Sequence, residues 1–134
     1  MTDEHRTVLV VEDTSLCATM LEIALTQITG VAVRVVGSAR EARSLLDAGL
    51  PVCAVVTDVH LPDASGFDLI RWVRSRDSSA RLPILVISGD SDPNTNSFVL
   101  KLGANAYFGK PFSPSEVRQK LEDLIDAAPT PPLH

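Results

Sequence analysis

The chain has 134 residues, of which 45% are hydrophobic, 22% are charged and 4% are aromatic, as expected for one soluble domain with an aliphatic core. The net charge of −5 at pH 7 argues against nucleic acid or an anionic membrane as the main partner. No apolar run approaches the roughly 18–20 residues of a membrane span, and the polar residues 1–6 do not have the character of a signal peptide. We therefore expect a cytoplasmic protein.

Apolar strands alternate with amphipathic helices along the whole chain. The first half is predicted to contain strands at 7–11, 31–36 and 52–58, one helix that begins at Thr14 or Ser15, and another capped by Ser38. The second half is predicted to contain helices at 67–76 and 94–102, strands at 82–88 and 104–109, and a last helix that begins with Ser113-Pro114. This alternation predicts a parallel sheet with helices on both faces.

Some polar residues are expected to have structural roles only. The Asn-Thr-Asn-Ser sequence at 94–97 is poor for a helix, so we expect the fourth helix to be the least stable element. Cys17 and Cys53 are far apart and lack a metal-binding spacing, so we expect neither a disulfide nor a zinc site. Four aspartates are expected to face solvent or to cap turns, namely Asp63, Asp68, Asp90 and Asp92.

Four of the five predicted strands end at residues capable of chemistry, namely Glu12-Asp13, Asp58, Ser88 and Lys110. In a parallel sheet these ends lie along one edge, so their side chains can converge in one crevice. Crowded carboxylates raise one another's pKa, and Mg²⁺ relieves this repulsion while keeping water for a phosphate to replace. Lys110 and Ser88 then offer an ammonium and a hydroxyl to phosphate oxygens. The site is therefore predicted to accept a phosphoryl group on Asp58.

These residues, together with Tyr107 and the Lys110-Pro111 dipeptide, resemble the receiver domain of bacterial two-component response regulators, particularly the chemotaxis regulators. The spacing makes the resemblance specific. Asp58 stands 30 residues before Ser88, Ser88 stands 22 residues before Lys110, and Tyr107 stands three residues before Lys110.

The resemblance covers about residues 7–126 and implies a flavodoxin-like (βα)5 fold. This fold is a doubly wound α/β sandwich with a five-stranded parallel sheet of order 2-1-3-4-5 and helices on both faces. The receiver domain would span residues 7–127. It would lie between a disordered N-terminal segment at 1–6 and a proline-rich tail or linker at 128–134.

The resemblance also implies roles for individual residues. Asp58 would be phosphorylated by a histidine kinase or a histidine phosphotransfer protein. Asp13, Asp58 and the backbone carbonyl of His60 would bind Mg²⁺, with Glu12 acting mainly through water. The phosphoryl group would be bound by Ser88, Lys110, Val59 and Gly89.

Ser88 and Tyr107 would form the switch that reports phosphorylation. When the phosphoryl group draws the Ser88 hydroxyl inward, Tyr107 would rotate from an exposed to a buried position. This would remodel the face made by the fourth helix, fifth strand and fifth helix, where a downstream protein or output domain docks or where a phosphorylation-dependent dimer forms. The Lys110–Pro111 bond is usually cis in similar proteins.

The sequence departs from the common family pattern in three places. Glu12-Asp13 stands where two aspartates are common, and Ser88 replaces the commoner threonine but keeps its hydroxyl. His60 would place an imidazole beside the phosphoryl group, and we hypothesise that it alters water access and so the rate of aspartyl phosphate hydrolysis. The protein would then be a phosphoacceptor that catalyses its own phosphotransfer and slow autodephosphorylation, not an enzyme with a separate substrate.

Three other functions fit parts of the pattern. A phosphohydrolase with an aspartyl phosphate intermediate would carry its nucleophile after the first strand in a D-x-D pattern, where this chain has Glu12-Asp13. A flavodoxin-like cofactor binder would need a phosphate-binding loop at that point, and a receiver-like scaffold would bind partners without phosphorylation. The proline-rich segment fits both a stand-alone receiver, which we prefer, and the receiver part of a longer protein.

Overall fold

The structure, a computed structural model, describes residues 6–90 and 92–127. Its strands are β1 (Arg6–Val11), β2 (Val31–Val36), β3 (Val52–Asp58), β4 (Ile84–Ser88) and β5 (Ala106–Gly109). Its helices are α1 (Ser15–Leu25), α2 (Ala39–Asp47), α3 (Gly66–Ser75), α4 (Pro93–Leu102) and α5 (Pro114–Ala127). All neighbouring strands are parallel and the sheet order is β2-β1-β3-β4-β5, which confirms the predicted fold.

The predicted N-terminal boundary was wrong by one residue. β1 begins at Arg6, which pairs with Val31 of β2 and so belongs to the sheet instead of a disordered segment. Its backbone N–H also donates to Gly30 O at 3.2 Å. The remainder of the expected N-terminal segment, residues 1–5, and the proline-rich residues 128–134 lie outside the described residues.

Two strands begin two residues later than predicted, each because a backbone N–H is not available to the ladder. β4 begins at Ile84, since Pro83 has no N–H to contribute to the ladder. β5 begins at Ala106, because the N–H of Ala104 donates to Val99 O at the end of α4, at 2.9 Å.

The core is divided into two layers by the sheet, because successive residues of a strand point to opposite faces. On one face Val8 and Val10 of β1 pack with α1 and α5, and on the other face Leu9 and Val11 pack with the layer of α2, α3 and α4. Both faces of β1 are therefore covered, which explains its uninterrupted apolar sequence. None of the helices within 6–90 and 92–127 is long and apolar enough to cross a lipid bilayer.

Candidate functional site

The predicted site residues lie at the C-terminal edge of the sheet. β3 ends on Asp58 and β4 ends on Ser88, while Glu12 and Lys110 directly follow β1 and β5. Glu12, Asp58 and Ser88 are buried, with exposed fractions of 3%, 7% and 0%. The parallel pairing of the four strands brings these polar side chains to one edge of the sheet, as the sequence predicted.

Lys110 joins the two buried carboxylates. Its Nζ lies 2.8 Å from Asp58 Oδ2 and 3.1 Å from Glu12 Oε1. Burial lowers the pKa of the Lys110 ammonium, but its hydrogen bonds to Asp58 and Glu12 and their negative charges outweigh that effect and raise the pKa above the ordinary value. Lys110 is therefore a permanent cation between the candidate phosphoacceptor and its neighbouring acid.

The other oxygen of each carboxylate accepts a backbone N–H. Asp58 Oδ1 accepts from His60 N at 3.1 Å, and Glu12 Oε2 accepts from Thr14 N at 3.0 Å. These bonds hold both carboxylates in fixed orientations, with Asp58 at the end of the central strand.

The chemistry of this acidic cluster fits a divalent cation. Glu12, Asp13 and Asp58 carry three negative charges at one edge of the sheet, and Lys110 offsets one of them. All three offer the hard oxygen ligands that Mg²⁺ prefers. In the described part of the chain, no three acidic, histidine or cysteine side chains already stand in the arrangement of a metal site. Asp13 is exposed, and the two buried acids are joined by the lysine.

A second set of contacts extends from Ser88 toward α4. Ser88 Oγ accepts a hydrogen bond from Asp90 N at 3.0 Å, so the hydroxyl keeps its own proton to donate. Tyr107 is half-buried, and its hydroxyl donates to Asp90 O over 3.4 Å. The Asp90 carboxylate accepts from Thr95 Oγ1 at 3.0 Å and from Asp92 N at 2.9 Å. Asp90 thus connects both predicted switch residues to the first turn of α4.

The turn-capping role predicted for Asp90 is confirmed by its bond to Asp92 N, but its contacts with the switch residues were not predicted. The sequence showed only an aspartate in a polar loop, which is typical of a side chain that accepts from the backbone two residues ahead. The backbone N–H of Asp92 supplies the largest contribution to the lowered pKa of Asp90, followed by the Thr95 hydroxyl.

The model of the response regulator receiver domain family matches residues 8–122. The chain belongs to this family. The match includes every residue that was predicted for the site, and members of the family act in two-component signalling with histidine kinases and output domains.

Named relatives of this receiver include both longer and similar-sized proteins. It is 36% identical over 128 residues to the transcriptional regulatory protein GltR of Pseudomonas aeruginosa, covering 96% of this chain and 52% of that protein. It is 30% identical over 117 residues to a chemotaxis protein CheY homolog of Campylobacter jejuni, covering 87% and 90%. The chain therefore spans about half the length of the first of these relatives and most of the second.

A solved structure of a putative response regulator from Chloroflexus aurantiacus has the same fold. Its TM-score is 0.84 at 32% sequence identity, and the match covers 92% of this chain and 99% of that one. The chemotaxis response regulator CheY4 of Vibrio cholerae is less similar in sequence, at 24% identity, but its TM-score of 0.79 indicates a common fold.

The loop after β3 brings His60 to the mouth of the receiver site. Its imidazole is exposed, and Nε2 lies 3.7 Å from Asp90 Oδ2 across the loop that follows β4. Gly66 begins α3 beneath this loop, and a side chain there would collide with Asp58 O. A glycine is therefore required at this position for the close approach of α3 to Asp58.

The other predicted phosphate-binding residues follow the strand ends. Val59 is buried directly after Asp58, and Gly89 follows Ser88 beside the stem of Lys110. The peptide bond between Lys110 and Pro111 is cis.

Cys17 is a neighbour of the receiver site that the sequence did not reveal. It lies in the first turn of α1 and is 8% exposed. Burial, followed by the charge and hydrogen-bond acceptance of Glu12, raises the pKa of the Cys17 thiol to about 12. The thiol is therefore neutral at physiological pH. Cys17 and Cys53 are both free cysteines.

A groove of about 300 Å³ separates α1 from α5 on the outer surface of the receiver. Leu16 and Ile23 of α1 are 70% and 61% exposed, which is unusual for large aliphatic residues. Arg118 borders the groove and donates to Gln27 Oε1 at 2.9 Å. Residues that line it include Met20, Ile23, Ala24, Gln27, Pro114 and Arg118.

Proposed function

We propose that this receiver is a phosphorylation-activated switch of a two-component or phosphorelay system, in which Asp58 accepts a phosphoryl group from a phosphohistidine. The observation that carries this proposal is the contact of Lys110 Nζ with Asp58 Oδ2 at 2.8 Å. A buried carboxylate at a strand end is an available nucleophile, and the lysine supplies fixed positive charge where phosphoryl oxygens will lie.

In the transfer step, a carboxylate oxygen of Asp58 forms a bond to phosphorus as the bond from phosphorus to the donor imidazole nitrogen breaks. Lys110 and the Ser88 hydroxyl bind phosphoryl oxygens, together with backbone groups of Val59 and Gly89. The imidazole leaves with the electron pair of the broken bond. The receiver itself thus catalyses the transfer and later the slow hydrolysis of its aspartyl phosphate, without acting on a separate substrate.

The added phosphoryl group makes the negative charge of the site larger, which is the reason to expect Mg²⁺ there. Asp13, Asp58 and the backbone carbonyl of His60 would hold the ion, with Glu12 acting through water. When bound, Mg²⁺ supplies charge that neutralises the phosphoryl oxygens. The buried position of Glu12 supports an indirect role, since Lys110 and Thr14 already bind its two oxygens.

The proposed output is a change in the face formed by α4, β5 and α5. A Ser88 hydroxyl that turns to the phosphoryl group loses its contact with Asp90 N, and Tyr107 then moves further inward. A protein target, an output domain or a second copy of the receiver would bind the changed face. Different outputs are supported by the names of the relatives, since GltR is named a transcriptional regulatory protein and the CheY homolog a chemotaxis protein.

We assign the α1–α5 groove to the phosphohistidine donor. α1 follows Glu12 and α5 follows Lys110, so both helices extend directly from the site. A donor that brings its phosphohistidine to Asp58 must cover this edge, and the exposed Leu16 and Ile23 offer it an apolar surface. The occupant is therefore an amphipathic helix beside the donor histidine. Such a donor, and the receiver with it, belongs to the cytoplasm.

Incubation with Mg²⁺ and acetyl phosphate tests the main proposal. Intact-protein mass spectrometry should show one phosphoryl group, which is lost at alkaline pH and is not formed by Asp58→Asn. Asp123→Asn is the matched control, because Asp123 is an exposed aspartate on α5, where its carboxylate accepts a hydrogen bond from Gln119. A wild-type protein that takes up no phosphate would overturn the proposal, and steady release of phosphate from a phosphomonoester would favour the phosphohydrolase instead.

The same assay tests the effect of His60 on the aspartyl phosphate. Its exposed imidazole at the mouth of the site supports the hypothesis that it alters water access to Asp58. His60→Ala should change the hydrolysis rate of the aspartyl phosphate, and equal rates for the two proteins would reject the hypothesis.

A further inference from the structure

Arg74, in the last turn of α3, binds backbone from two neighbouring loops. Its Nε and Nη2 donate to Gly103 O at 3.0 and 2.7 Å, and its Nη1 donates to Leu82 O at 2.6 Å and to Ala80 O at 3.2 Å. Nη2 also donates to Asn105 Oδ1 at 3.1 Å. Among the described residues no carboxylate pairs with this guanidinium, and burial lowers its pKa. A guanidinium that donates hydrogen bonds to several neutral oxygens holds together the segments that carry those oxygens.

Two of the groups that accept from Arg74, Gly103 O and Asn105 Oδ1, lie just beyond the C-terminal end of α4. Gly103 ends this helix with φ 114°, and a Cβ there would lie 2.9 Å from Arg74 Nε. A positive charge beside the last carbonyls of a helix is favourable. Asn105 connects this region to the start of β4, because its Oδ1 accepts from Ile84 N at 2.8 Å and its N–H donates to Ile84 O at 2.7 Å. The end of α4 is thereby fixed to α3 and to the start of β4.

The N-terminal end of α4 is held by contacts of another kind. Thr95 of its first turn donates to Asp90 Oδ2, and Asp90 N donates to Ser88 Oγ. The Ser88 hydroxyl is the group that the proposed function turns toward the phosphoryl group. This end of α4 is therefore attached through a bond that phosphorylation breaks, whereas no bond of Arg74 involves a residue of the phosphorylation site.

We propose that Arg74 is the pivot of α4: it holds the C-terminal end of the helix in place, so that phosphorylation moves the N-terminal end only. The inference rests on the proposed function, because it takes the change at Ser88 as its input. A helix moves as a rigid element between two discrete arrangements. With one end released and the other bound by several charge-assisted bonds, the movement is a rotation about Gly103.

Amide hydrogen exchange measured by NMR, with and without beryllofluoride and Mg²⁺, tests the pivot. In the wild type, activation should change exchange at Asn94 and Thr95 by at least about tenfold and leave Gly103 and Ala104 within about twofold. In Arg74→Lys, a point charge replaces the planar fork that holds several carbonyls. Activation should then also change the amide exchange rates of Gly103 and Ala104, by about tenfold or more.

Arg76→Lys is the matched control, because Arg76 lies at the end of the same helix but pairs with Asp47 of α2 at 2.8 Å. This variant should show the wild-type response, in which activation changes amide exchange at the N-terminal end of α4 only. If Arg74 is merely structural, Arg74→Lys will speed exchange at Gly103 equally with and without beryllofluoride, and the proposal is wrong.

If Arg74→Lys fails to fold, amide exchange of the wild type with and without beryllofluoride still tests the pivot. Equal changes in amide exchange at the two ends of wild-type α4 would contradict the pivot. They would not contradict the switch proposed for Ser88 and Tyr107. A separate mass-spectrometric test with acetyl phosphate identifies the other failure, since a protein that takes up no phosphate on Asp58 contradicts the proposed function and, with it, the pivot.

Discussion

Lys110 has a structural role in addition to its proposed role in phosphate binding. In the described part of the chain it is the cation bound to the carboxylates of Glu12 and Asp58. Two buried carboxylates without a counter-charge repel each other and are costly to desolvate. Because the pKa of Lys110 is raised above its ordinary value, its stabilising contribution is fully present at neutral pH. It is lost only as the pH rises from the range of an ordinary lysine through the raised value.

Lys110→Met should lower the free energy of unfolding in the absence of Mg²⁺ by about 3 kcal/mol, because removal of one partner leaves buried charge unpaired. Added Mg²⁺ should restore much of this loss, since a cation that binds only the native state stabilises it. Urea denaturation with and without Mg²⁺ measures both effects. Lys120→Met, at an exposed position of α5, is the control and should change neither value. Equal stabilities of the two variants would contradict the role assigned to Lys110.

Individual residues differ in how far the sequence could predict them. Asp58, Ser88 and Lys110 were predictable because each stands at or directly after the end of an apolar strand. The influence of Glu12 on the pKa of Cys17 and the contact of Asp90 with Tyr107 were not, since they depend on where α1 and α4 pack against the sheet.

The start of α2 shows how one element depends on another. Ser38 caps the helix locally by accepting from Glu41 N, as the sequence predicted. The first two N–H groups of the helix, those of Ala39 and Arg40, instead donate to the two carboxylate oxygens of Asp63, each at 2.9 Å. Asp63 belongs to the loop after β3, so this cap joins the loop beside Asp58 to α2.

Asp63→Asn should lower the melting temperature at neutral pH, and the difference from the wild type should disappear in acid. The N–H groups of Ala39 and Arg40 lower the pKa of Asp63 in the folded state. The stabilisation is therefore fully present above the ordinary pKa of an aspartate and is lost as the pH falls through the lower folded-state value. Thermal unfolding at several pH values checks this, with the exposed Asp77→Asn as the control. A difference that does not vary with pH would contradict the assigned cap.

Helix α4 forms despite its unfavourable Asn-Thr-Asn-Ser sequence. Asp92 caps its first turn by accepting from Asn94 N at 2.9 Å, Pro93 occupies the first turn, and Thr95 and Val99 are buried. Tertiary contacts at both ends thus compensate for low intrinsic propensity. That α4 is the least stable element stays a prediction.

At the scale of the whole molecule, the proposed donor and output surfaces extend from the same edge of the sheet. The donor groove lies between α1 and α5, which follow Glu12 and Lys110, while α4 follows the loop after Ser88. Asp58 at the end of the central β3 lies between them. This arrangement lets the proposed phosphorylation of Asp58 by a bound donor change the output face through the loop after β4 and the N-terminal end of α4.

Ile23→Glu should reduce the rate of phosphotransfer from a histidine kinase at least about tenfold, because it places a charge in the apolar groove. Phosphorylation by acetyl phosphate, which needs no docking surface, should be unchanged. The assay compares both rates using purified kinases from the same genome. Leu100→Glu is the control, since Leu100 is a 46% exposed leucine on α4 outside the groove. The assignment of the groove would be contradicted if Ile23→Glu slowed phosphorylation by the kinase and by acetyl phosphate alike, or if it slowed neither.

The amino-acid sequence by itself determined the alternation of strands and helices, the parallel sheet and the polar residues at the strand ends. It could do so because apolar runs and turn residues are local signals, and parallel strands place their C-terminal ends at a common edge. Only the tertiary structure decided that Lys110 joins Glu12 to Asp58, that Asp90 links Ser88 to α4, and that Arg74 binds the end of α4. Most of these contacts join side chains to groups distant in the chain, and no local pattern specifies where such side chains point.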